Sequence, residues 1–465
     1  MSQVDLNITK INAPEGVYQL RETITLPETV ELHPLLGTRI CMASIKSDAT
    51  STPSNLEKGS SSAKFIDITS SDGNDKFAFL KGGKKSKPQN NVTKTNSQFV
   101  SKIVANDQIA KILSQKSPES FYLFYNVGKT LAWTDYLWKL QCPLSVLYIK
   151  DAFITCHDVN QVTRETMNSV VGFTSGDILC FWPITGKYTR YNRSGQIQRI
   201  PVTSIKWVPG SESYFIAGFE DGSMMVFDKD MEDQGQGISA STDNYLVRPA
   251  PKASKSNPRS YWKISKKAIT AIAFSPDLQH FAASSLDGTL KILNITTEKL
   301  LDVYSSFFGG VTCAAWSPDG RFIIAGSQDD LLSIYAFRGR LLARCQGHYS
   351  WPTSISFDQW KCNDRHFRFG SVGEDTRLCL WDFSMSNLRR PKTLSIMRHK
   401  SNSEIRGQDG PVVHPPVSKT AVPIIEPVIC KSIGQSGLTG ILFREDAFLT
   451  SDKAGLVLIW DRPAV

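Results

Sequence analysis

Short apolar runs alternate with polar turns from about residue 145 to the end of the chain, and one unit of this pattern recurs. The unit is an apolar strand, a turn, a Gly- or Ser-bearing second strand, a tight turn, and a third strand that ends in a bulky residue. Its five clear copies begin at Val202, Ile269, Val311, Pro352 and Leu438. Repetition of such a unit predicts an all-β fold of radial blades, the β-propeller.

An aspartate recurs in the tight turn of four copies, each time six residues before a bulky side chain. The pairs are Asp221 with Phe227, Asp287 with Leu293, Asp329 with Tyr335, and Asp375 with Trp381. A turn carboxylate accepts hydrogen bonds from exposed backbone N–H groups. Because side chains alternate along a strand, the bulky residue returns to the packed face. We therefore expect these aspartates to be structural rather than catalytic.

One copy carries a nearly complete WD-repeat signature, since Gly347-His348 opens it and Trp381-Asp382 closes it. Resemblance to that repeat family implies a chain of side-chain hydrogen bonds across the blade. Its members would be His348, Ser371, Asp375 and Trp381. Such a buried chain rigidifies a blade only when every member is paired. A satisfied structural histidine is thus favoured over a ligand or a base at position 348.

Two degenerate copies raise the number of blades to seven. One spans residues 145–183, where Trp182 stands one position late, and the other is a hairpin at residues 121–136. The last copy stops without an outer strand, so closure of the ring needs a strand from the N-terminal part of the chain. Residues 15–26 and 63–70 are the two candidates. The prediction is a seven-bladed WD-repeat propeller closed by an N-terminal strand.

Domain organisation follows from where the repeat is absent. Residues 1–98 form a largely disordered segment with one or two closing strands, and residues 99–465 form the propeller with one short helix at its start. That helix is predicted at residues 99–113 from their apolar spacing, and packing on the propeller is favoured over partner docking. Several Ser-, Pro- and Lys/Arg-rich stretches have too few bulky apolar residues to fold and are predicted to be disordered. They lie at about 44–62, 71–97, 231–260 and 385–421, the last two being insertions between blades.

Charge and cysteine content narrow the function classes. The net charge is +9, but much of the excess lies in the predicted linkers, so solvated linkers are favoured over a localisation signal, an acidic partner or a nucleic-acid surface. The nine cysteines are scattered without a CxxC pair, which indicates neither disulfides nor zinc and favours a reducing compartment. No apolar stretch is long enough for a signal peptide or a membrane span.

Motifs for catalysis are missing from the sequence. A phosphate loop, a nucleophile elbow and a zinc-protease helix are absent, and the seven histidines show no ligand spacing. Cys156 and His157 are adjacent, so a strand would point them to opposite faces. We therefore expect no enzyme activity, no metal site and no cofactor.

Several segments are similar to the CreC-like WD-repeat proteins of fungi and their animal counterparts. The resemblance spans roughly residues 99–465 and includes sequence that a generic propeller does not require, such as WVPGSES and IIEPVICKSI. The matching segments lie at 155–160, 170–178, 206–229, 257–265, 305–335, 343–351 and 422–433. Membership of that family is the hypothesis that these segments favour.

The resemblance implies a non-catalytic subunit of a deubiquitinating complex. Such a subunit binds a ubiquitin-specific cysteine protease together with a second WD-repeat subunit and raises the activity of the protease. It would act in the cytoplasm and the nucleus, without nucleic acid or membrane insertion. The alternative is a scaffold for another assembly, such as a ubiquitin ligase or a phosphopeptide-reading complex, which predicts Arg and Lys residues around the central channel.

The resemblance also implies contact residues for the protease. In the animal relatives, two aromatic residues on one face of the propeller contact it, and the matching segments here are FFGG and GHYSW, which carry Phe308 and Trp351. Tyr349 stands where those relatives have a basic residue. Both aromatics precede a first strand, so they belong to inter-blade loops that crowd one rim. Partner contact, which would contribute about 2 kcal/mol for each ring, and capping of the core remain alternatives.

Overall fold

The structure is a computed structural model. It describes residues 8–28, 36–46, 68–69, 76–77, 91–94, 99–106, 109, 119–137, 142–160, 167–234, 245–251, 254, 256–387 and 410–463. Within these ranges the regular secondary structure is almost entirely β-strand, with single turns of 3-10 helix at Arg193–Gly195, Gln359–Lys361, Met385–Asn387 and Lys419–Ala421. The predicted all-β class is confirmed.

The N-terminal third supplies two strands that close the ring, a separate hairpin, and blade 1. In chain order they are β1 (Lys10–Ala13), β2 (Gly16–Ile24), β3 (Ile40–Lys46), β4 (Ile68–Thr69), β5 (Lys76–Phe77), β6 (Asn91–Lys94), β7 (Val100–Ala105), β8 (Glu119–Val127), β9 (Thr130–Asp135) and β10 (Ser145–Ile149). Blade 1 has the strand order β3-β8-β9-β10-β7-β6, and β4 pairs with β5 alone.

Blades 2 and 3 follow with the orders β11-β12-β13-β14 and β15-β16-β17-β21-β19, while β18 and β20 pair with each other. Their strands are β11 (Ile154–Val159), β12 (Ser169–Phe173), β13 (Ile178–Trp182), β14 (Lys187–Tyr191), β15 (Val202–Trp207), β16 (Tyr214–Phe219), β17 (Ser223–Asp228), β18 (Glu232–Asp233), β19 (Leu246–Pro249), β20 (Ser256–Asn257) and β21 (Ser260–Lys263).

Blades 4 to 7 complete the ring. Their strands are β22 (Ile269–Phe274), β23 (His280–Ser285), β24 (Thr289–Asn294), β25 (Lys299–Ser305), β26 (Val311–Trp316), β27 (Phe322–Ser327), β28 (Leu331–Ala336), β29 (Leu341–Gln346), β30 (Pro352–Phe357), β31 (His366–Gly373), β32 (Arg377–Ser384), β33 (Val412–His414), β34 (Ile424–Ile425), β35 (Ile429–Ser432), β36 (Leu438–Phe443), β37 (Ala447–Asp452) and β38 (Val457–Asp461). The orders are β22-β23-β24-β25-β33, β26-β27-β28-β29-β34, β30-β31-β32-β35 and β36-β37-β38-β2-β1.

The seven inner strands line a central channel. Each contacts the inner strand of the next blade, and the circle closes where β36 meets β3 and β3 meets β11. The apolar core lies between neighbouring blades, since both faces of each sheet are covered. Phe227, Leu293, Tyr335 and Trp381, the residues that follow the turn aspartates, are all buried there. The predicted seven-bladed propeller is confirmed.

The ring is closed by the first of the two predicted N-terminal strands. Within residues 15–26, β2 pairs antiparallel with the last strand, β38, with Thr23 opposite Leu458 and Ile24 opposite Val457. Strand β1 adds a fifth strand outside β2. The other candidate, residues 63–70, contributes only β4, whose partner is β5. Blade 7 is therefore built from both ends of the chain.

The helix predicted at residues 99–113 is wrong over its first half. Residues Val100–Ala105 form β7, which pairs with β6 and β10. Phe99, Val100 and Ile103, all buried against blade 2, have helical spacing, but a register shift in the pairing of β7 with β10 brings Val100 and Ile103 to one face of the strand. The open edge of β10 decides the outcome. Ile109 is helical and the rest of the predicted helix, apart from Asn106, lies outside the described residues.

The segments predicted to be disordered contain parts of blades. Ser44 and the two residues after it end β3, the inner strand of blade 1, and β6 lies within 71–97. The insertion at 231–260 supplies β18, β19, β20 and the start of β21. Local composition did not indicate these strands: β3 pairs with the distant β8, while the short β18 and β20 pair with each other. The remainder of these segments lies largely outside the described residues.

The insertion at 385–421 begins a path along the outside of three blades. After residues 388–409, which lie outside the described part of the chain, β33 pairs in parallel with β25 of blade 4. Strand β34 then pairs in parallel with β29 of blade 5, and β35 becomes the fourth strand of blade 6. Because of this return path, the outer strand of blade 6, β35, is separated in sequence from β30, β31 and β32 by the whole segment between Ser384 and Ile429.

Candidate functional site

One face of the ring, here called the mouth face, carries the loops from each outer strand to the next inner strand and the turns between second and third strands. The turn aspartates lie on this face. Each accepts a hydrogen bond on Oδ1 from the N–H group two residues later, as predicted. The distances are 2.9 Å for Asp221, 3.0 Å for Asp287, 3.2 Å for Asp329 and 3.1 Å for Asp375. These carboxylates fix the turns of the face.

In blade 6 the structure brings His348, Ser371, Asp375 and Trp381 together in one chain. Trp381 Nε1 donates to Ser371 Oγ at 2.8 Å, and Ser371 Oγ lies 2.7 Å from His348 Nε2. His348 Nδ1 lies 3.1 Å from Asp375 Oδ2. Because the tryptophan donates to the serine oxygen, the serine hydroxyl is free to donate to His348 Nε2. The proton of the imidazole then lies on Nδ1 and is donated to the Asp375 carboxylate, so every member of the chain is paired.

Asp375, at the end of this series of hydrogen bonds, also holds the exposed loop of the blade. Asp375 Oδ2 also accepts from the backbone N–H of Tyr349 at 2.8 Å. Burial would raise the pKa of Asp375, but the hydrogen bonds from His348 and from the Tyr349 N–H lower it. The carboxylate is thus kept ionised, and it anchors the loop that carries Tyr349 and Trp351.

That loop presents two rings to solvent. Tyr349 is 74% exposed and Trp351 is 46% exposed. The Arg377 guanidinium lies 4.2 Å from the centre of the Tyr349 ring. Arg377 thus places a positive charge against the Tyr349 ring. The arrangement offers a flat aromatic surface beside a cation.

The neighbouring loop, between β25 and β26, holds Phe308 outward. The N–H of Gly310 donates to Gln328 Oε1 at 2.8 Å, and the N–H of Gln328 donates to the Gly310 carbonyl at 2.9 Å. Gly309 has φ +70°, and a Cβ at Gly310 would lie 2.7 Å from Leu286 Cα, so both positions require glycine. Phe308 is 70% exposed and therefore covers little of the core.

Between these loops the central channel opens on the mouth face as a cavity of about 610 Å³. Trp351, Ser350, Gln328 and Leu286 lie at its rim, and the beginnings of the inner strands form its wall. The described lining contains two basic side chains, Arg39 and Lys453, and Lys453 Nζ pairs with Glu374 Oε1 at 2.5 Å. This lining does not match the ring of cations that a phosphopeptide reader would need.

A ring of threonines in this wall was not predicted from the sequence. The second residue of an inner strand donates its hydroxyl to the carbonyl of the first residue in the next inner strand or, in blade 1, to the carbonyl of Thr38, two residues before β3. The donors are Thr155, Thr203, Thr270, Thr312, Thr353 and Thr439, and the acceptors are Val202, Ile269, Val311, Pro352, Leu438 and Thr38. The signal was present, since each clear copy of the repeat has threonine at its second position.

The adjacent Cys156 and His157 lie buried on β11. Burial raises the pKa of the Cys156 thiol to about 11 and lowers the pKa of His157 to about 3. At neutral pH the thiol is protonated and the imidazole is neutral. An activated cysteine–histidine pair requires a thiolate, so this pair lacks the ionisation state for nucleophilic attack.

Metal-ligand clusters and membrane-spanning helices are both absent from the described ranges. No group of three or more His, Cys, Asp or Glu side chains there is arranged to hold a metal ion. Nor does any helix within those ranges have the length and apolar character needed to span a membrane. The surface feature that stands out is the aromatic rim of the mouth face.

Comparison with known proteins agrees with the geometry. The family model described as WD domain, G-beta repeat matches residues 259–294 and 299–335, each running from the outer strand of one blade through three strands of the next. UBP9-binding protein bun62 of Schizosaccharomyces pombe is 35% identical over 413 residues, which cover 78% of this chain and 75% of that protein.

A solved structure described as the crystal structure of the mitotic checkpoint complex contains a chain of the same fold. Its TM-score is 0.52 at 10% identity, over 74% of this chain and 84% of that chain, and it shows the fold alone. The family follows instead from the relative that is 35% identical, whose alignment spans most of both proteins. This chain belongs to the CreC-like WD-repeat family, the WD-repeat proteins that partner ubiquitin-specific proteases.

Proposed function

We propose that this protein binds a ubiquitin-specific protease through the mouth face and raises its activity without catalysing any reaction itself. The observation that carries the proposal is the exposure of Tyr349 and Phe308. Among the described residues they are the most exposed large apolar side chains, and they lie on neighbouring inter-blade loops. Aromatic residues in such a cluster commonly dominate the energy of a protein interface.

The loops are held rigidly, which favours binding. The hydrogen-bonded chain of blade 6 anchors Tyr349, and Gln328 anchors the turn after Phe308. A preorganised surface loses little conformational entropy when its partner docks. A protease with two conformations would be shifted toward the one that fits this surface, which is how a non-catalytic subunit raises activity.

The complex would include a second WD-repeat subunit, as the family resemblance implies. Its place of action would be the cytoplasm and the nucleus. The nine cysteines, all free, support a reducing compartment. The relative named as a UBP9-binding protein supports the class of the partner.

Affinity purification of the tagged protein tests the proposal. Wild type would be compared with the Phe308→Ala, Trp351→Ala double variant, by mass spectrometry and by a ubiquitin-cleavage assay on each eluate. A loss of about 2 kcal/mol for each ring, about 4 kcal/mol for the pair, weakens binding by roughly 700-fold. Trp360→Ala is the matched control, because Trp360 is 37% exposed in the 3-10 turn between β30 and β31, on the opposite face.

We expect wild type and the control to retain a ubiquitin-specific protease with raised activity, and the folded double variant to lose it. Absence of such a protease from the wild-type eluate would overturn the proposed function. If the double variant retained the protease fully, the partner would bind at another surface.

A further inference from the structure

The wall of the mouth-face cavity repeats one residue around the ring, with a single exception. In six blades the residue at the second position of the inner strand is a threonine that donates to the next blade. In blade 1 the carbonyl that receives this bond belongs to Thr38, and the residue that follows it is Arg39. A cation therefore occupies the seventh position of the threonine ring.

The backbone geometry at this position also differs from that of the other blades. Each threonine is the extra residue of a β-bulge, where the register between the first and second strands shifts. The pairing of β3 with β8 is regular from Ile40 onward, and the N–H of Arg39 donates to Asn126 Oδ1 at 2.9 Å. Blade 1 is thus adapted locally to carry a long side chain into the channel.

The Arg39 guanidinium has little compensation inside the chain. Its Nη1 donates to the Thr439 carbonyl at 2.8 Å, and within the described part of the protein no carboxylate forms an ion pair with it. Glu374 lies in the same lining and its charge raises the pKa of Arg39, but its ion pair is with Lys453. Burial outweighs this attraction and lowers the pKa of Arg39, so loss of water disfavours the charged form. A partly buried, unpaired cation lowers stability and is better explained by a ligand than by the fold.

The chemistry of the cavity selects a carboxylate. A guanidinium binds a carboxylate through two parallel N–H bonds. The threonine hydroxyls are already used between blades, so Arg39 is the main donor directed into the space. One arginine beside the Glu374 carboxylate suits a singly charged ligand, whereas a phosphate dianion is bound by clusters of cations. A cavity of about 610 Å³ is large enough for the tip of a protein loop.

We infer that Arg39 binds the carboxylate of an Asp or Glu side chain of the protease, which enters the channel between Phe308 and Trp351 when the two proteins dock. This inference rests on the proposed function and deepens it. The aromatic rim would provide the apolar contacts, and Arg39 would fix the register of the partner. The charge of Arg39, which forms no ion pair with the described residues of the free protein, is then neutralised in the complex.

The chain itself suggests the test variant. Arg39→Thr restores the residue found in the six other blades and removes an unpaired charge, so it should fold with an unfolding temperature equal to or above that of wild type. The matched control is Arg365→Thr, the same chemical change at an exposed arginine beyond the 3-10 turn of the opposite face. Affinity for the purified protease that co-purifies with wild type would be measured by calorimetry for each form.

We expect Arg39→Thr to weaken binding at least tenfold and Arg365→Thr to leave it within twofold. A scan of the protease that replaces each Asp by Asn and each Glu by Gln should reveal one change that weakens binding to wild type but not to Arg39→Thr. Equal binding by wild type and Arg39→Thr would overturn the inference alone. Failure of wild type to bind any such protease would overturn the proposed function and this inference with it.

Discussion

At the scale of single residues, a buried polar chain supports an exposed loop. Trp381 is fully buried and stacks on Phe369, with ring centres 6.1 Å apart. Its indole N–H begins the chain that ends at the Tyr349 backbone. Removing one of these side chains leaves its neighbour without a hydrogen-bond partner in the protein interior. The resulting loss of stability exceeds the net contribution of the hydrogen bond itself. The stability of blade 6 and the position of Tyr349 are therefore coupled.

Trp381→Phe tests this coupling. The change removes the N–H donor to Ser371 and part of the ring volume, so the free energy of unfolding should fall by about 2 kcal/mol or more. Urea denaturation measures the loss. Trp351→Phe, the same change at an exposed position, should stay within about 0.5 kcal/mol of wild type. Equal effects of the two changes would show that the hydrogen-bonded chain contributes nothing specific.

A second residue-scale feature is the thiol pair of blade 6. Cys379 and Cys430 stand directly opposite each other on β32 and β35, with their sulfur atoms 3.3 Å apart. The Cys379 thiol and the Arg377 guanidinium both donate toward Cys430 and lower its pKa, despite its partial burial. Cys430 should therefore be a thiolate at a pH where an ordinary thiol is still protonated.

Alkylation by iodoacetamide tests the ionisation of Cys430. The rate of labelling at Cys430 should persist as the pH is lowered from 8 to 7 and fall only below the lowered pKa, because the thiolate is the nucleophile. Cys345, buried and with a raised pKa, should stay unlabelled in the folded protein. Arg377→Gln should slow labelling of Cys430 at pH 7 by roughly fivefold. An unchanged rate in that variant would show that the arginine does not stabilise the thiolate.

At the scale of elements, each inner strand is linked to its neighbour by one threonine. The β-bulge turns this side chain out of the sheet pattern and toward the adjacent strand. The hydroxyl then satisfies a carbonyl of the next blade, as in Thr203 Oγ1 to Ile269 O at 2.6 Å. Contacts between blades thus combine apolar packing with a directional bond.

Thr203→Val measures the contribution of one such bond. Valine has nearly the same shape but no hydroxyl, so the Ile269 carbonyl loses its partner, and the free energy of unfolding should fall by about 1 to 2 kcal/mol. Chemical denaturation provides the value. Thr296→Val is the control, because Thr296 is exposed in the turn after β24. If both variants were as stable as wild type, the threonine ring would be incidental to stability.

At the scale of the molecule, stability depends on joining the two ends of the chain. Strand β2 covers the edge of β38, and without it blade 7 would have an unpaired edge. Ile11 and Tyr18, both buried, also belong to the apolar cluster between blades 6 and 7. Closure therefore contributes both backbone pairing and core.

Deletion of residues 1–26 tests the closure. The truncated protein should unfold at a clearly lower temperature and self-associate through the exposed edge of β38, as seen by thermal unfolding and size-exclusion chromatography. Deletion of residues 1–7 is the control, since it leaves β1 and β2 in place. A monomer with the wild-type unfolding temperature after the longer deletion would show that β2 is dispensable.

The sequence by itself determined the blade units. Alternating apolar positions, the turn aspartates and the repeat interval are local properties, so they predict three strands per blade and the residues that face the core. The hydrogen-bonded chain from His348 to Trp381 also lies within one repeat. The exposed aromatic positions could be proposed because family resemblance supplied them.

Only the tertiary structure decided how distant segments combine. The inner strand of blade 1 lies more than seventy residues before its partner β8, and a strand edge does not record in its own sequence which segment will cover it. The helix prediction failed at β7 for the same reason, because pairing with the free edge of β10 overrode the helical spacing of the apolar residues. The placement of Arg39 among six threonines likewise follows from the closed ring, in which residues far apart in the chain become neighbours around one channel.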